Sequence, residues 1–419
     1  MASRCQVAGP HSIRARKALF RGRLCRAFAA VASLAIIACV AVDDLFPGRE
    51  PEAIQLADLS LVRFWGDQAT PEIQAIIGNQ FVQIRDAARH GNRSSPLWAA
   101  DFLAISGGGS DGAFAAGVLV GWTRQGTRPE FEVVTGVSTG ALAAPFAFLG
   151  PRYDAQLQEI YTAHGDRDIL RSRGLIGVLG SGLNDNAPLR DIIAKYMNDP
   201  LLDEIAAEYH RGRRLLVQTT DIEAQRPVIW DISAICAGDR QVRRDLVINI
   251  LLASAAIPAV FPPVHIKVQG SGDEQYDELH VDGGVASQVF FAPPNLHLDE
   301  FERVAFGHVR QRHLYVIRNG RLRPTYEATA ERALPIAKRA VQTLTVYQGL
   351  ADLNRLQALA RLGHAKLSYL SIPASFTATA QSDFDNSYMR ALFDVGVRAG
   401  LAGDWQTSVP TTLVSGGAD

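Results

Sequence analysis

The chain reads as an α/β protein with a mainly parallel central sheet. Two observations point there. From Trp98 onward, short apolar runs alternate with helical patterns, the arrangement that yields βαβ units. Two of the strand-to-helix junctions are glycine-rich, at Gly107–Gly112 and Gly136–Gly140. Such junctions sit at the carboxyl ends of parallel strands, where this class of fold builds its sites.

Taken in order, Phe102–Ser106 is expected as a strand and Ala113–Arg124 as a helix. Phe131–Thr135 is the next strand, followed by a helix over Thr139–Phe148. Leu215–Thr220 and Val228–Ile232 form a strand pair. Leu246–Ala256 is helical and stops before Pro258. Leu279–Val281 ends a further strand, and Leu314–Arg318 is one more, closed by Asn319-Gly320. Helices are expected to dominate from there, at about 331–362 and 385–400. Upstream, residues 39–98 form an extension with one helical face at Pro71–His90, carried by Ile73, Ile76, Ile77, Phe81 and Ile84. The expected division is 1–38 leader, 39–98 extension, 99–320 catalytic domain and 321–419 a mainly helical part packing on it.

The leader shows in the charge. The whole chain has 42 Lys+Arg against 43 Asp+Glu, a formal net charge of −1. Residues 1–38 hold seven basic residues and no acid, leaving 35 basic and 43 acidic residues in 39–419. That balance argues against nucleic acid as a partner. The apolar run Ala27–Val42 is 16 residues long, short of the roughly 20 that span a bilayer. It fits a signal-peptide core behind a basic flank. Within it, Ile36-Ile37-Ala38-Cys39 resembles the bacterial lipobox, whose cysteine is lipidated. That resemblance implies an exported, membrane-attached lipoprotein acylated on Cys39. The alternatives are an uncleaved anchor, an ordinary secretory leader, and a start codon placed upstream of a cytoplasmic protein. Under the lipoprotein reading Cys5 and Cys25 leave with the leader. Cys236 then remains as a lone, buried thiol rather than a nucleophile.

Three short motifs carry chemistry. Gly107-Gly108-Gly109-Ser110-Asp111-Gly112 joins a strand to a helix. Its N–H groups at a helix N-terminus suit an anion, and it also satisfies the weak GxGxxG dinucleotide pattern. Gly136-Val137-Ser138-Thr139-Gly140 is GxSxG between a strand and a helix, the nucleophile elbow that holds a serine hydroxyl at the top of a sheet. Asp282-Gly283-Gly284 places a carboxylate at a strand's C-terminal end, at the same sheet edge.

In order and spacing these motifs resemble the patatin-like phospholipase family: a glycine-rich oxyanion loop, GxSxG about 30 residues on, then DGG well downstream. Ala253-Ser254-Ala255-Ala256-Ile257-Pro258 with Phe261-Pro262 is similar to the family's A-S-x-A-x-P segment. The resemblance covers roughly residues 100–320. It implies a three-layer α/β/α fold and hydrolysis of lipid carboxylic esters by a Ser138–Asp282 dyad without histidine. It also implies an oxyanion hole formed by the Gly107, Gly108, Gly109, Gly112 loop, with Gly108 and Gly109 as donors, and a lipid or lysolipid substrate. One position departs. The family often has Lys or Arg just before the last loop glycine, and this chain has Asp111 there, which bears on headgroup preference.

Rival readings remain on the residues themselves. A Ser-His-Asp esterase is formally available with His297, His308, His313 or His364. A nucleotide-binding oxidoreductase would use Gly107–Gly112, but needs an acid closing the next strand, where Thr135-Gly136 stands. A catalytically silent lipoprotein is the third. No Cys/His cluster suggests zinc and no loop has calcium spacing, so chemistry without metal or cofactor is expected. The apolar Gly174–Leu183 is either a lid or a plain surface connection.

Overall fold

The computed structural model describes residues 62–410 except 94, 175–180, 270–274 and 295. Contacts divide the chain after Ala53, and every described residue belongs to the second unit. The leader with Cys39, and most of Gly174–Leu183, lie outside the described residues. Among the described residues no helix is long and apolar enough to cross a membrane.

The elements that matter run in this order. Strand β1 is Arg63–Trp65, α1 is Pro71–Arg89, and β2 is Ala99–Ile105. Helix α2 spans Gly112–Gln125, β3 Val133–Val137, α3 Thr139–Leu149 and α4 Asp154–Ala163. Helices α5 (Ala187–Tyr196) and α6 (Asp199–His210) precede β4 (Arg214–Asp221) and β5 (Arg226–Asp231). Helix α7 (Arg243–Ser254) leads to β6 (Val264–Gln269) and β7 (Gln275–Asp282). Helix α8 (Leu298–Phe306), β8 (Gln311–Arg318), α9 (Ala333–Leu362), β9 (Ala365–Ser371) and α10 (Asn386–Ala402) complete the chain.

The sheet runs β1-β5-β4-β3-β2-β8-β9. Strands β4, β3, β2, β8 and β9 are all parallel. The other four strands are antiparallel additions at one end. Helices cover both faces, giving three layers. Alternation within a strand assigns its residues to opposite faces. Leu103 and Ile105 of β2 join the core with Phe114, Leu119 and Phe146. Phe102 and Ala104 join the other core with Ile77, Phe81, Leu353 and Leu356. Strand β9 corrects the expectation of helices alone beyond Gly320: it extends the parallel sheet next to β8. Strand β1 pairs with β5 at the opposite edge.

One feature of this topology positions the site. Strand β3 runs parallel to β4, with Val137 opposite Gln218. Strand β7 runs antiparallel to β4, with Asp282 opposite Thr219. Both therefore lie along β4 and point toward each other. Their carboxyl ends meet one residue apart in register, so the residue after Val137 arrives beside Asp282.

Candidate active site

Ser138 follows β3 in a backbone conformation with φ 54° and ψ −126°. This is a strained geometry for a residue bearing a side chain, and such strain gathers at functional turns. Gly136 and Gly140 flank it for steric reasons. A Cβ on Gly140 would stand 2.4 Å from the Ile105 carbonyl oxygen, and one on Gly136 2.6 Å from the Gly140 carbonyl oxygen. The hydroxyl of Ser138 donates to Asp282 Oδ2 at 2.6 Å. Asp282 Oδ1 accepts the Gly284 N–H at 2.7 Å. Gly283 is pressed on the Gln218 carbonyl, where a Cβ would lie at 2.4 Å. Ser138 and Asp282 are each only 5% exposed. Burial drives the Asp282 carboxyl up to about 7, although hydrogen bonds from Ser138 and the Gly284 amide pull the other way. A carboxylate titrating there is a far better base than an exposed one.

The Ala253–Pro258 segment holds both side chains in place. Ser254 Oγ accepts the Ser138 N–H at 3.0 Å and donates to the Gln218 carbonyl at 2.7 Å. The Ala256 carbonyl accepts the Asp282 N–H at 3.0 Å. The sequence pattern shows this segment without showing what it does.

The glycine-rich loop divides its labour. The Gly107 N–H donates to the Gln288 carbonyl, and the Gly112 N–H is used within the following turn. The N–H groups of Gly108 and Gly109 have no hydrogen-bond partner among the described residues. Gly112 is a packing position, since a Cβ would lie 2.1 Å from Thr139 Oγ1. Gly108 lies against the end of β8, where a Cβ would meet the Asn319 carbonyl at 2.3 Å.

That end of β8 braces the loop, and nothing in the sequence motifs marks it. Asn319 Nδ2 donates to the Ser106 carbonyl at 2.8 Å, and Asn319 Oδ1 accepts the Ala115 N–H at 3.0 Å. Arg318 is buried behind the loop, with Nη1 3.3 Å from Ser106 Oγ and 3.5 Å from the Gly107 carbonyl. Burial pulls its guanidinium down to about 10, against the opposing pull of Asp111 and Asp352. Asp111 accepts the Tyr388 hydroxyl of α10 at 2.5 Å. Its carboxyl is raised by burial, with Tyr388, Arg321 and Arg318 acting against the rise. The loop acid is thus tied to α10, and a cation stands behind the loop rather than on it.

Of the histidines considered from sequence, His297, His308 and His364 are exposed, and His313 bonds Ser368 on β9. None bonds Ser138 or Asp282. His164, which carries no sequence motif, lines the cavity that opens onto Ser138, and its Nε2 is buried without a partner. The rest of that cavity is mainly apolar, with Leu142, Phe146, Ile193, Leu251 and Phe261 in its wall. Cys236 is buried, and burial raises its thiol far above the ordinary value, as an inert structural cysteine requires.

Residues 103–294 match the family model for patatin-like phospholipase. No curated protein matches the chain. Among solved structures, the chain is similar to VipD from Legionella pneumophila at 12% identity and TM-score 0.39, covering 75% of this chain and 68% of that one. Human GIVD cytosolic phospholipase A2 matches at 10% identity and TM-score 0.33, over 77% and 53%. The type III effector protein ExoU matches at 14% identity and TM-score 0.28, over 74% and 54%. The chain therefore spans little more than half of the latter two.

Proposed function

We propose, from the premise that residues 103–294 are a patatin-like phospholipase domain, that the chain hydrolyses lipid carboxylic esters through Ser138 and Asp282. The observation that carries this is the 2.6 Å hydrogen bond from Ser138 Oγ to Asp282 Oδ2 at the mouth of an apolar cavity. The acyl chain occupies the cavity. Asp282 accepts the hydroxyl proton as Ser138 Oγ attacks the ester carbonyl carbon. The N–H groups of Gly108 and Gly109 receive the negative oxygen of the tetrahedral intermediate. A donor of that kind contributes about 3–4 kcal/mol. The C–O bond to the alcohol breaks, the alcohol leaves with the proton from Asp282, and Ser138 is acylated. Water then attacks, losing its proton to Asp282, and the fatty acid departs as Ser138 is restored.

A direct Ser–Asp contact leaves no place between them for an imidazole, which favours the dyad over a triad. His164 is the histidine by which to test the alternative. Hydrolysis of p-nitrophenyl esters is expected to fall at least about 1,000-fold in Ser138→Ala and Asp282→Asn. Those variants should keep the wild-type circular dichroism. His164→Ala should retain turnover within about tenfold, the size of a packing effect on orientation. A loss in His164→Ala as deep as in Ser138→Ala would replace the dyad with a triad. For the leader we propose export and acylation on Cys39. Mass spectrometry of the mature N-terminus should show a diacylglyceryl adduct there, and an intact Met1 would refute it.

A further inference from the structure

Helix α9 carries its apolar residues on two different faces. After Gly349, Leu350, Leu353, Leu356 and Ala360 are buried against the sheet. At roughly 100° per residue, the same inward direction before Gly349 is held by Lys338, Gln342 and Thr345. There the apolar residues lie on the opposite side. Ile336 is 52% exposed, Val341 60%, Leu344 68% and Tyr347 54%. An amphipathic helix normally turns its polar residues outward. This helix obeys that rule in its second half and inverts it in its first.

The inverted stripe begins at the rim of the active site. Gln348 Oε1 accepts from Gln288 Nε2 at 3.1 Å, and Gln348 Nε2 donates to the Val285 carbonyl at 3.3 Å. Val285, just beyond the Asp282 turn, is itself 45% exposed. The local charge also runs against the rest of the protein. Residues 321–348 contain five basic and two acidic residues. Two of the cations are held only by exposed surface pairs, Arg339 with Glu327 at 3.2 Å and Lys338 with Asp383 at 3.3 Å. Such pairs contribute little and exchange readily.

We propose that the first half of α9 seats the enzyme on an anionic lipid surface, with Ile336, Leu344 and Tyr347 entering the acyl boundary and the basic residues meeting phosphates. An outward apolar face bordered by Lys and Arg is the pattern of a helix lying in a membrane interface. This rests on the lipid acyl hydrolase reading, because a lipid surface is where such an enzyme finds its substrate. The stripe brings the Ser138 cavity to that surface.

Leu344 replaced by p-benzoylphenylalanine in the full chain tests the occupant. Irradiation with phosphatidylcholine–phosphatidylglycerol vesicles should give a lipid adduct at position 344. A cross-link to residues 1–61 or to a second copy, without a lipid adduct, overturns the proposal. The double variant Ile336→Glu/Leu344→Glu should hydrolyse p-nitrophenyl butyrate within twofold of wild type. On vesicle-borne phospholipid it should lose at least tenfold. Unchanged vesicle hydrolysis, or equal loss on both substrates, overturns the interface. A wild-type chain inactive on the soluble ester strikes the hydrolase reading instead, so the two failures are distinguishable.

Discussion

Asp282 shows how a short motif becomes a base. The Asp-Gly-Gly turn alone is ordinary loop chemistry. Its difference lies in burial, which lifts the carboxyl to about 7 despite two hydrogen bonds to the charged form. The sign of the pH dependence follows. The base works only when deprotonated, so kcat/KM should rise with pH through about 7 and level off above it. A stopped-assay pH profile on a soluble ester checks this, and a flat profile between pH 5 and 8 would contradict it. Local motifs made Ser138, Asp282 and the glycines legible, because GxSxG and DGG are contiguous in sequence. Their supports were not legible in that way. Ser254, Arg318 and Asn319 act through hydrogen bonds spanning 116 to 213 residues. The Asp111–Tyr388 contact spans 277. No local pattern encodes contacts at that range.

At the scale of elements, α2 starts directly after the glycine-rich loop and must be fixed for the loop to hold its shape. Helix α10 does this by close approach. Gly117 and Gly121 of α2 face Gly396 and Gly400 of α10, and a Cβ on Gly396 would lie 2.3 Å from the Phe114 carbonyl oxygen. Gly78 in α1 is the internal control, with nothing within 4 Å of its Cβ direction. Gly78→Ala should raise stability by about 0.5–1 kcal/mol, since alanine is the better helix former. Gly396→Ala should lower it by about 1–3 kcal/mol, because the clash is with backbone and outweighs that gain. Urea midpoints measure both, and equal signs would show that the helix spacing is wrong. Sequence reading placed the strands β2, β3, β4 and β8 because their apolar runs are long and bounded by turn residues. It did not place β1, which is only Arg63–Trp65, or β9, whose Ala365–Ser371 mixes Lys and Ser among its apolar residues. Both are strands by virtue of a neighbour rather than by their own pattern.

At the scale of the whole molecule, a buried polar chain joins the first strand to the strand bearing Asp282. Arg63 of β1 pairs bidentately with Glu278 of β7 at 2.6 and 3.0 Å. Glu278 meets His280 at 3.0 Å, and His280 meets Thr219 at 3.0 Å, opposite Asp282 in register. Burial would raise the Glu278 carboxyl, but hydrogen bonds from His280 and Arg63 outweigh it and bring it down to about 2. Removing Arg63 leaves that carboxylate buried with half its partners gone. Arg63→Ala should cost about 3–5 kcal/mol, read as a fall in urea midpoint. A change below about 1 kcal/mol would show the pair to be dispensable. The charge ledger also becomes local. The acidic excess of residues 39–419 coexists with a basic, apolar half-helix beside the site. A sequence average could not show that, because the reversal of face in α9 depends on which side of the helix meets the sheet.

The central claim is that Ser138, activated by Asp282, is the group that takes the acyl chain. Reaction with a fluorophosphonate, followed by peptide mass spectrometry, tests it most directly. The adduct should map to Ser138 alone, and its rate of formation should fall at least about 100-fold in Asp282→Asn. An adduct on another residue, or an unchanged rate in Asp282→Asn, would contradict the account.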